Sequence, residues 1–474
     1  MVNPDKPKVY YRSARSVSPQ TSLVADVLTL FDAAGFADMI KPHDMVAIKM
    51  HCGEWNNTGY LRPVYARALV DRIKALGGRP FVCDTQTLPY NSFASRSSAV
   101  DLLTTAERNG FTPATLGCPF LAADGYSGRD DVRVELPEGF ILKEAYVASA
   151  IAMADVLITL SHFKGHGIGM IGGAIKNLGI GAQSKRGKHN VHLGGHPKYG
   201  LGAATDFHPE RCLGRRECPV WEACQDSCSW GLFEVTEDGI KWDREKCTGC
   251  LAHLGANTWC GVMDCPEETW QATNAAIADA CLATVKAVGR DKVGFINLAI
   301  DVTPGCDCVP WSDMPLVPNI GVMASTDPVA IDTCAKDMVT AAHGTPGSAA
   351  EDCHVMEPGM QKMAHTAGGA RRMVSEEIQL ETGALIGLGS RDYELVELEA
   401  PPSRMPFVFS PDPRPVGQRF RRLQRSPLGS FPYDLHDGRG FVRRDEVDLS
   451  QVLGKPMGEI MRLPADQPIE GGEE

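Results

Sequence analysis

Residues Asp155–Gly181 read DVLITLSHFKGHGIGMIGGAIKNLGIG. The first six residues form an unbroken apolar run after one acid, the pattern of a strand buried on both faces. Polar groups arrive where that run stops: Ser161, His162, Lys164 and His166. A glycine-rich run follows, and it carries Lys176 and Asn177. A strand that ends in glycines and then enters a helix presents backbone N–H groups, and here lysines, to an anion. The order strand, glycine run, helix is the unit of an α/β fold.

The flanking sequence repeats the unit. Asp44–Met50 (DMVAIKM) predicts a strand, and Arg62–Leu76 a helix with Pro63 in its first turn and Gly77-Gly78 as its stop. Phe81–Cys83 begins another strand, Ser98–Asn109 is a helix closed by Gly110, and Thr21–Phe36 has helical apolar spacing. Val293–Ile300 and Ile320–Ala324 read as buried strands, and Asp327-Pro328 as a helix start, Asp as cap and Pro at the first helical position. The expectation is an α/β body with a mostly parallel sheet covered by helices. Ligands bind beyond the carboxyl ends of such strands. His51, Asp84, His162 and Asp301 follow expected strand ends, so they are expected to converge there. Lys164 and Lys176 would hold or polarise an oxygen-bearing substrate, with His51, Asp84 and Asn177 as binding groups. His162 or His166 would donate a proton. These four, His162, Lys164, His166 and Lys176, are the candidate catalytic residues. Six of the 13 histidines lie between His162 and His208, among Lys185, Arg186, Lys188 and Lys198. The alternative for this segment is a solvated basic loop.

Gly167, Gly169 and Gly172 match the dinucleotide pattern G-x-G-x-x-G. The stretch about twenty residues on is Lys185–His189, with no acid for a ribose, so no nicotinamide cofactor is expected. The 474 residues are 43% hydrophobic, enough for a folded core, and the net charge of −12 argues against a nucleic-acid partner gripped by bulk charge. The longest apolar run, Ala145 to Leu160, contains Asp155 and is too short for the bilayer, and no targeting segment is visible. A cytoplasmic protein without a membrane partner is expected.

Eight of the 16 cysteines fall within Cys212–Cys265. Cys212, Cys218, Cys224 and Cys228 form one group, and Cys247, Cys250, Cys260 and Cys265 a second. Clustered thiols in a reducing compartment point to metal or redox use. Trp230–Lys246 between the groups reads as a strand, a turn at Asp238-Gly239 and a second strand. The segment resembles bacterial two-cluster ferredoxins, in which the fourth cysteine of each run ligates the other cluster. That resemblance implies one [4Fe–4S] cluster on Cys212, Cys218, Cys224 and Cys265, and another on Cys247, Cys250, Cys260 and Cys228. Three gaps are five, five and nine residues instead of two, and Ser229 stands where a proline is usual. Two structural zinc sites, or buried structural thiols, are the competing readings. Cys306 and Cys308 form a further candidate redox or metal site, with ordinary loop thiols as the alternative.

The segments KMHCGEWNNTGYLRP, GGRPFVCDTQTL, DVLITLSHFKGHGIGMIGGAIKNLGIG, FINLAIDVTPGCDC, VPNIGVMASTDPVAID and IGLGSRDYEL together resemble the DUF362 family of iron–sulfur proteins. They span about residues 8 to 398. The resemblance implies an α/β body, residues 1–208 and 269–399, interrupted by a ferredoxin-like two-cluster module at 209–268. It implies no substrate. Typical members carry compact C-x2-C-x2-C runs, which this chain lacks. The Pro- and Arg-rich extension at 400–474 exceeds the usual family length. It is expected to wrap a surface or meet a partner, with a disordered end as the alternative. The functional expectation is a low-potential redox protein passing electrons through two [4Fe–4S] clusters to an anionic or oxygen-rich small molecule. The reaction would be a reductive dehydroxylation or double-bond reduction, with a ferredoxin or flavoprotein as donor. The alternatives are a non-enzymatic ferredoxin-like electron-transfer subunit and a metal-handling role for Cys306, Cys308 and the histidines.

Overall fold

The computed structural model describes residues 6–88, 94–195, 206–247, 260–264, 267–367, 374–399 and Glu446. The expectations for Cys250, Cys265, Lys198 and the extension from residue 400 fall outside these residues. The chain divides into two units, 1–403 and 404–474, and the sheet described next belongs to the first.

Eight strands form the central sheet: β1 (Lys8–Ser13), β2 (Met45–Lys49), β3 (Arg79–Asp84), β4 (Phe120–Ala122), β5 (Val156–His162), β6 (Val293–Ala299), β7 (Gly321–Ser325) and β8 (Glu394–Glu397). Their order is β8-β1-β7-β6-β5-β2-β3-β4. β7 runs antiparallel to both its neighbours, β1 and β6, and the other pairings are parallel. This is an α/β fold with a mostly parallel sheet.

Both faces are covered, for a reason visible in each strand. Successive side chains point to opposite faces. Val156, Ile158 and Leu160 pack in one core with Val46, Ile48, Ile296 and Leu298. Leu157 packs in the other with Ala47, Phe295 and Ala299. The first core is closed by α1 (Leu23–Ala33), α2 (Pro63–Ala75) and α3 (Ala99–Arg108). The second is closed by α4 (Ala174–Gly179), α5 (Lys185–His192), α6 (Glu267–Val288) and α7 (Pro328–Ala341). Each fully buried Leu or Ile contributes roughly 1.5–3 kcal/mol relative to exposure. α6 is buried continuously from Thr273 to Val285, so it is apolar around most of its circumference, as an internal helix must be. α7 starts as its sequence signal requires. Asp327 accepts from Val329 and Ala330 N–H, and Pro328 takes the position whose N–H has no helical partner.

The glycine run after β5 is a tight hairpin rather than an open loop. Lys164–His166 pairs antiparallel with Met170–Gly172 before α4 begins. In the cysteine-rich stretch, Asp206–Phe207 pairs with Met263–Asp264, and Phe233–Val235 with Ile240–Trp242. The second pair is the hairpin expected around Asp238-Gly239. Cys224, Phe233, Val235, Ile240, Val262 and Met263 form a small core of their own. No helix among the described residues is long and apolar enough to cross a membrane.

Candidate functional site

β2, β3 and β5 end at the same edge of the sheet, and a cavity of about 160 Å³ opens there. That is room for a small molecule about the size of a single ring. His51, Asp84, His162, Lys164, His166, Lys176 and Asn177 all line it, so the structure brings the seven pocket candidates together. Cys308 lines it too. Asp301 does not. It sits at φ 48°, and its carboxylate lies 3.7 Å from Arg62.

The binding candidates are held by a buried charge network. Lys49 Nζ lies 2.9 Å from Asp84 Oδ1 and donates to Asn177 Oδ1 at 2.9 Å. Asn177 Nδ2 donates in turn to Ser161 Oγ at 2.9 Å and to the Lys49 carbonyl. Arg96 lies 3.2 Å from Glu54 and 3.6 Å from Asp84. Burial would raise the Asp84 carboxyl. Lys49, His51 and Arg96 outweigh it and hold that carboxyl well below its usual range. Close packing here needs glycine. A Cβ on Gly181 would stand 2.7 Å from Lys49 Nζ.

His162 Nδ1 lies 3.0 Å from Asp307 and its Nε2 lies 2.8 Å from the Ile300 carbonyl. Both ring nitrogens are therefore committed to the body. Asp307 also lies 3.7 Å from Lys164 Nζ. This geometry makes His162 a positioning residue for Asp307 and Lys164. His51 is different: its Nδ1 accepts from Gly53 N–H at 2.8 Å, which leaves the ring proton on Nε2. Burial, with Arg96 nearby, lowers its pKa to about 3, so the ring is neutral. Lys188 donates to Thr85 Oγ1 and to the Gln183 carbonyl, each at 2.6 Å, and lines the cavity. Burial brings its pKa down to about 7 against the pull of Asp124 and Asp84. His192 lines the same wall, pushed by burial to about 3.

The N-terminus of α4 does not face the cavity as an anion site. Ala174 and Ile175 N–H groups both donate to Asp332, at 2.8 Å each, and Asn297 donates to the same carboxylate at 2.6 Å. The anion at this helix start is the protein's own. Gly173 permits it, because a Cβ there would lie 2.3 Å from Asp332 Oδ1. The cavity's positive charge comes instead from Arg96, Lys164, Lys176 and Lys188, with Asp84 as the carboxylate in the lining.

Lys49, Arg96 and Glu54 are the residues sequence reasoning missed. Lys49 had a signal: a lone cation inside the apolar run DMVAIKM must find a buried partner. Arg96 and Glu54 lie in connecting segments that give no periodicity.

In the cysteine-rich stretch, Cys224 is pushed up to about 11 by burial and then by Cys260, Cys218 and Cys212, so each of these three lies within electrostatic reach of Cys224. Gly214 N–H points at Cys212 Sγ at 3.4 Å, and Leu232 N–H at Cys228 Sγ at 3.5 Å. Cys260 was expected with the second group. Among the described residues, no three of these thiols lie within 4.8 Å of one another, a spacing that a zinc tetrahedron would require.

The model for the family described as "Domain of unknown function (DUF362)" matches residues 46–337. The chain belongs to the DUF362 family. That match runs from within β2 to within α7 and takes in every residue lining the cavity and the cysteine-rich stretch. No curated protein matches this DUF362 chain. Among solved structures, it is similar to the lactate racemase apoprotein from Thermoanaerobacterium thermosaccharolyticum. The identity is 11%, 83% of each chain is covered, and the TM-score is 0.32.

Proposed function

We propose that this DUF362 protein is an iron–sulfur redox protein that reduces a small anionic molecule bound in the cavity of its α/β body. The observation that carries the reading is the approach to Cys224 of Cys212 and Cys218 from its own expected set and of Cys260 from the other, in one chain with a cation-lined cavity. The donor set fits iron–sulfur ligation. It is all sulfur, and backbone N–H groups point at Cys212 and at Cys228, as hydrogen bonds to cluster sulfurs would. Cys212, Cys218 and Cys224 would hold one [4Fe–4S] cluster with Cys265, and Cys247, Cys250, Cys260 and Cys228 the other. A bound cluster of this kind supplies electrons one at a time.

The body's residues do the rest. Arg96, Lys164 and Lys176 hold the anion, and His162 with Asp307 fixes Lys164. His51 offers Nε2–H to a substrate oxygen. Lys188 is the proton donor, because a lysine held near 7 can give up its proton at neutral pH. A reductive dehydroxylation or double-bond reduction consumes two electrons and two protons, which this arrangement would serve. The cavity favours a short carboxylate or phosphate ester.

The test is anaerobic. Purified protein is assayed for iron and sulfide, reduced, and examined by electron paramagnetic resonance. Viologen-reduced protein is then mixed with unsaturated and hydroxylated carboxylates. Roughly eight irons and reoxidation by one substrate class, lost in Lys176→Met, are expected. Zinc in place of iron overturns the redox reading. Clusters that no substrate discharges overturn the reductase and leave an electron carrier.

A further inference from the structure

Two thiols beside the cavity, Cys308 in its lining and Cys306 behind it, take no part in that scheme. Cys306 and Cys308 occupy the first and third positions of a turn closed by Val309 N–H to the Cys306 carbonyl at 3.2 Å. Their Sγ atoms and a ring nitrogen of His166 all lie within 4.8 Å of one another. Two thiols and an imidazole suit a soft divalent metal. The hydrogen bonds of His166 oppose that use. Its Nδ1 accepts from Ile168 N–H at 3.1 Å and from Gly169 N–H at 2.8 Å. A nitrogen that accepts carries no proton, so the neutral ring carries its proton on Nε2, which faces Cys308 Sγ at 3.6 Å. A metal-bound imidazole is arranged the other way, lone pair toward the metal and N–H toward an acceptor behind it. Lys176 Nζ, 3.8 Å from Cys306 Sγ, and Lys164 beside it would also repel a dication.

The same groups stabilise a thiolate. Burial would push the Cys306 thiol up, but the Cys308 S–H, Lys164, Lys176 and His166 together hold it well below the usual thiol range. Cys308, whose S–H faces that sulfur, is raised, and it is the one of the two that lines the cavity. Cys308 N–H also points at Cys306 Sγ, at 3.3 Å.

We propose that Cys306 and Cys308 form a reversible dithiol–disulfide couple beside the cavity, oxidised by a low-molecular-weight disulfide. Cys308 Sγ attacks one sulfur of R–S–S–R, and its proton leaves with the other sulfur as RSH. The Cys306 thiolate then attacks Cys308 Sγ. The Cys306–Cys308 bond forms, the mixed disulfide breaks, and the second sulfur leaves as RS⁻. The pair loses two electrons and the small disulfide gains them. In reverse, a thiolate entering from the cavity opens the bridge at Cys308 and expels Cys306. Expulsion is favoured because a low-pKa thiolate is a good leaving group. The couple lies wholly within the α/β body, so it stands whether or not clusters assemble on the insertion.

Asp307 makes the experiment direct. Full-length protein is equilibrated anaerobically with mixtures of reduced and oxidised glutathione, quenched in acid, alkylated and cleaved before aspartate. Cuts at Asp301, Asp307 and Asp313 leave segments 301–306 and 307–312, which only a Cys306–Cys308 bridge holds together. The linked pair is expected to appear and to titrate with the glutathione ratio. Lys176→Met, folded by circular dichroism, is expected to shift the midpoint about tenfold toward the disulfide, since the thiolate loses a neighbouring cation. Cys306→Ser is expected to trap glutathione on Cys308. A folded protein that never forms the bridge overturns the proposal. So does one equivalent of bound metal that disappears in Cys308→Ser. Iron content of the same samples reports separately on the clusters.

Discussion

Around the cavity, Lys49, Asp84 and Arg96 are buried, and each meets its partners within the α/β body. In the cysteine-rich stretch, Cys212, Cys218 and Cys247 are half-buried and Cys260 is exposed, over a core of six residues. The first region carries its own compensation: each charge there, whether on a strand such as Lys49 and Asp84 or on a connecting segment such as Arg96, meets an opposite charge. Among its described residues the second has only a small apolar core, so packing alone holds its thiols less firmly. A closely packed pocket and a more loosely packed, thiol-rich stretch thus sit in one chain, and they should fail in different ways.

The largest expected effect is in the cavity. Lys49→Met leaves Asp84 buried with Arg96, at 3.6 Å, as its remaining close cation, and should cost roughly 3–5 kcal/mol in urea unfolding. Adding Asp84→Asn should recover part of that loss. If Lys49→Met is neutral, the body is not pre-paired and the contrast fails. In the insertion, Cys224→Ala should leave the unfolding midpoint of the body within about 0.5 kcal/mol. On the iron–sulfur proposal it should raise proteolytic cleavage within 206–247 roughly a hundredfold, by removing a cluster ligand. Equal loss in both regions would show one cooperative unit.

A smaller effect follows from Lys188. Its pKa in the fold, about 7, lies below that of an unfolded lysine, so its charge is present below that pH and is lost as pH rises. Asp124 and Asp84 pull toward the charged form, while burial, Lys49 and Arg96 oppose it. Calorimetric binding of a small dicarboxylate should therefore weaken by up to about tenfold from pH 6 to pH 8, and Lys188→Met should flatten the profile. The smallest effect is on the insertion's hairpin. Lys241 and Glu234 pair at 3.2 Å with both side chains largely exposed. Glu234→Gln should change stability by less than about 0.5 kcal/mol, and less still at high salt.

The sheet was legible because burial on two faces leaves unbroken apolar runs. DVLITL, Val293–Ile300 and DMVAIKM all became strands within a residue or two of their expected ends. The direction of β7 was not legible, since an apolar run reads the same both ways. Strand ends located His51, Asp84 and His162, but Asp301 shows the limit of that rule: in left-handed backbone after its strand, it meets Arg62 and stays out of the cavity lining. The glycine run suggested an anion site at α4, and an anion is there. It is Asp332, more than 150 residues along the chain, which no local pattern announces. The commitment of both His162 nitrogens, and the arrival of Arg96, likewise depend on tertiary contacts.

The pairing of β5 with β6 has a consequence for how the polypeptide is made. These neighbours at the middle of the sheet join Leu157 to Val293, and the cysteine-rich stretch lies between them in the chain. A ribosome adding about 5–20 residues per second needs several seconds or more to pass from one partner to the other. During that interval the thiols have emerged while the centre of the sheet still lacks a strand. Closing so long a loop adds little to the equilibrium cost, because that cost grows only with the logarithm of its length. Its effect is on timing: the cysteines meet the cell before the sheet that bounds the cavity is complete.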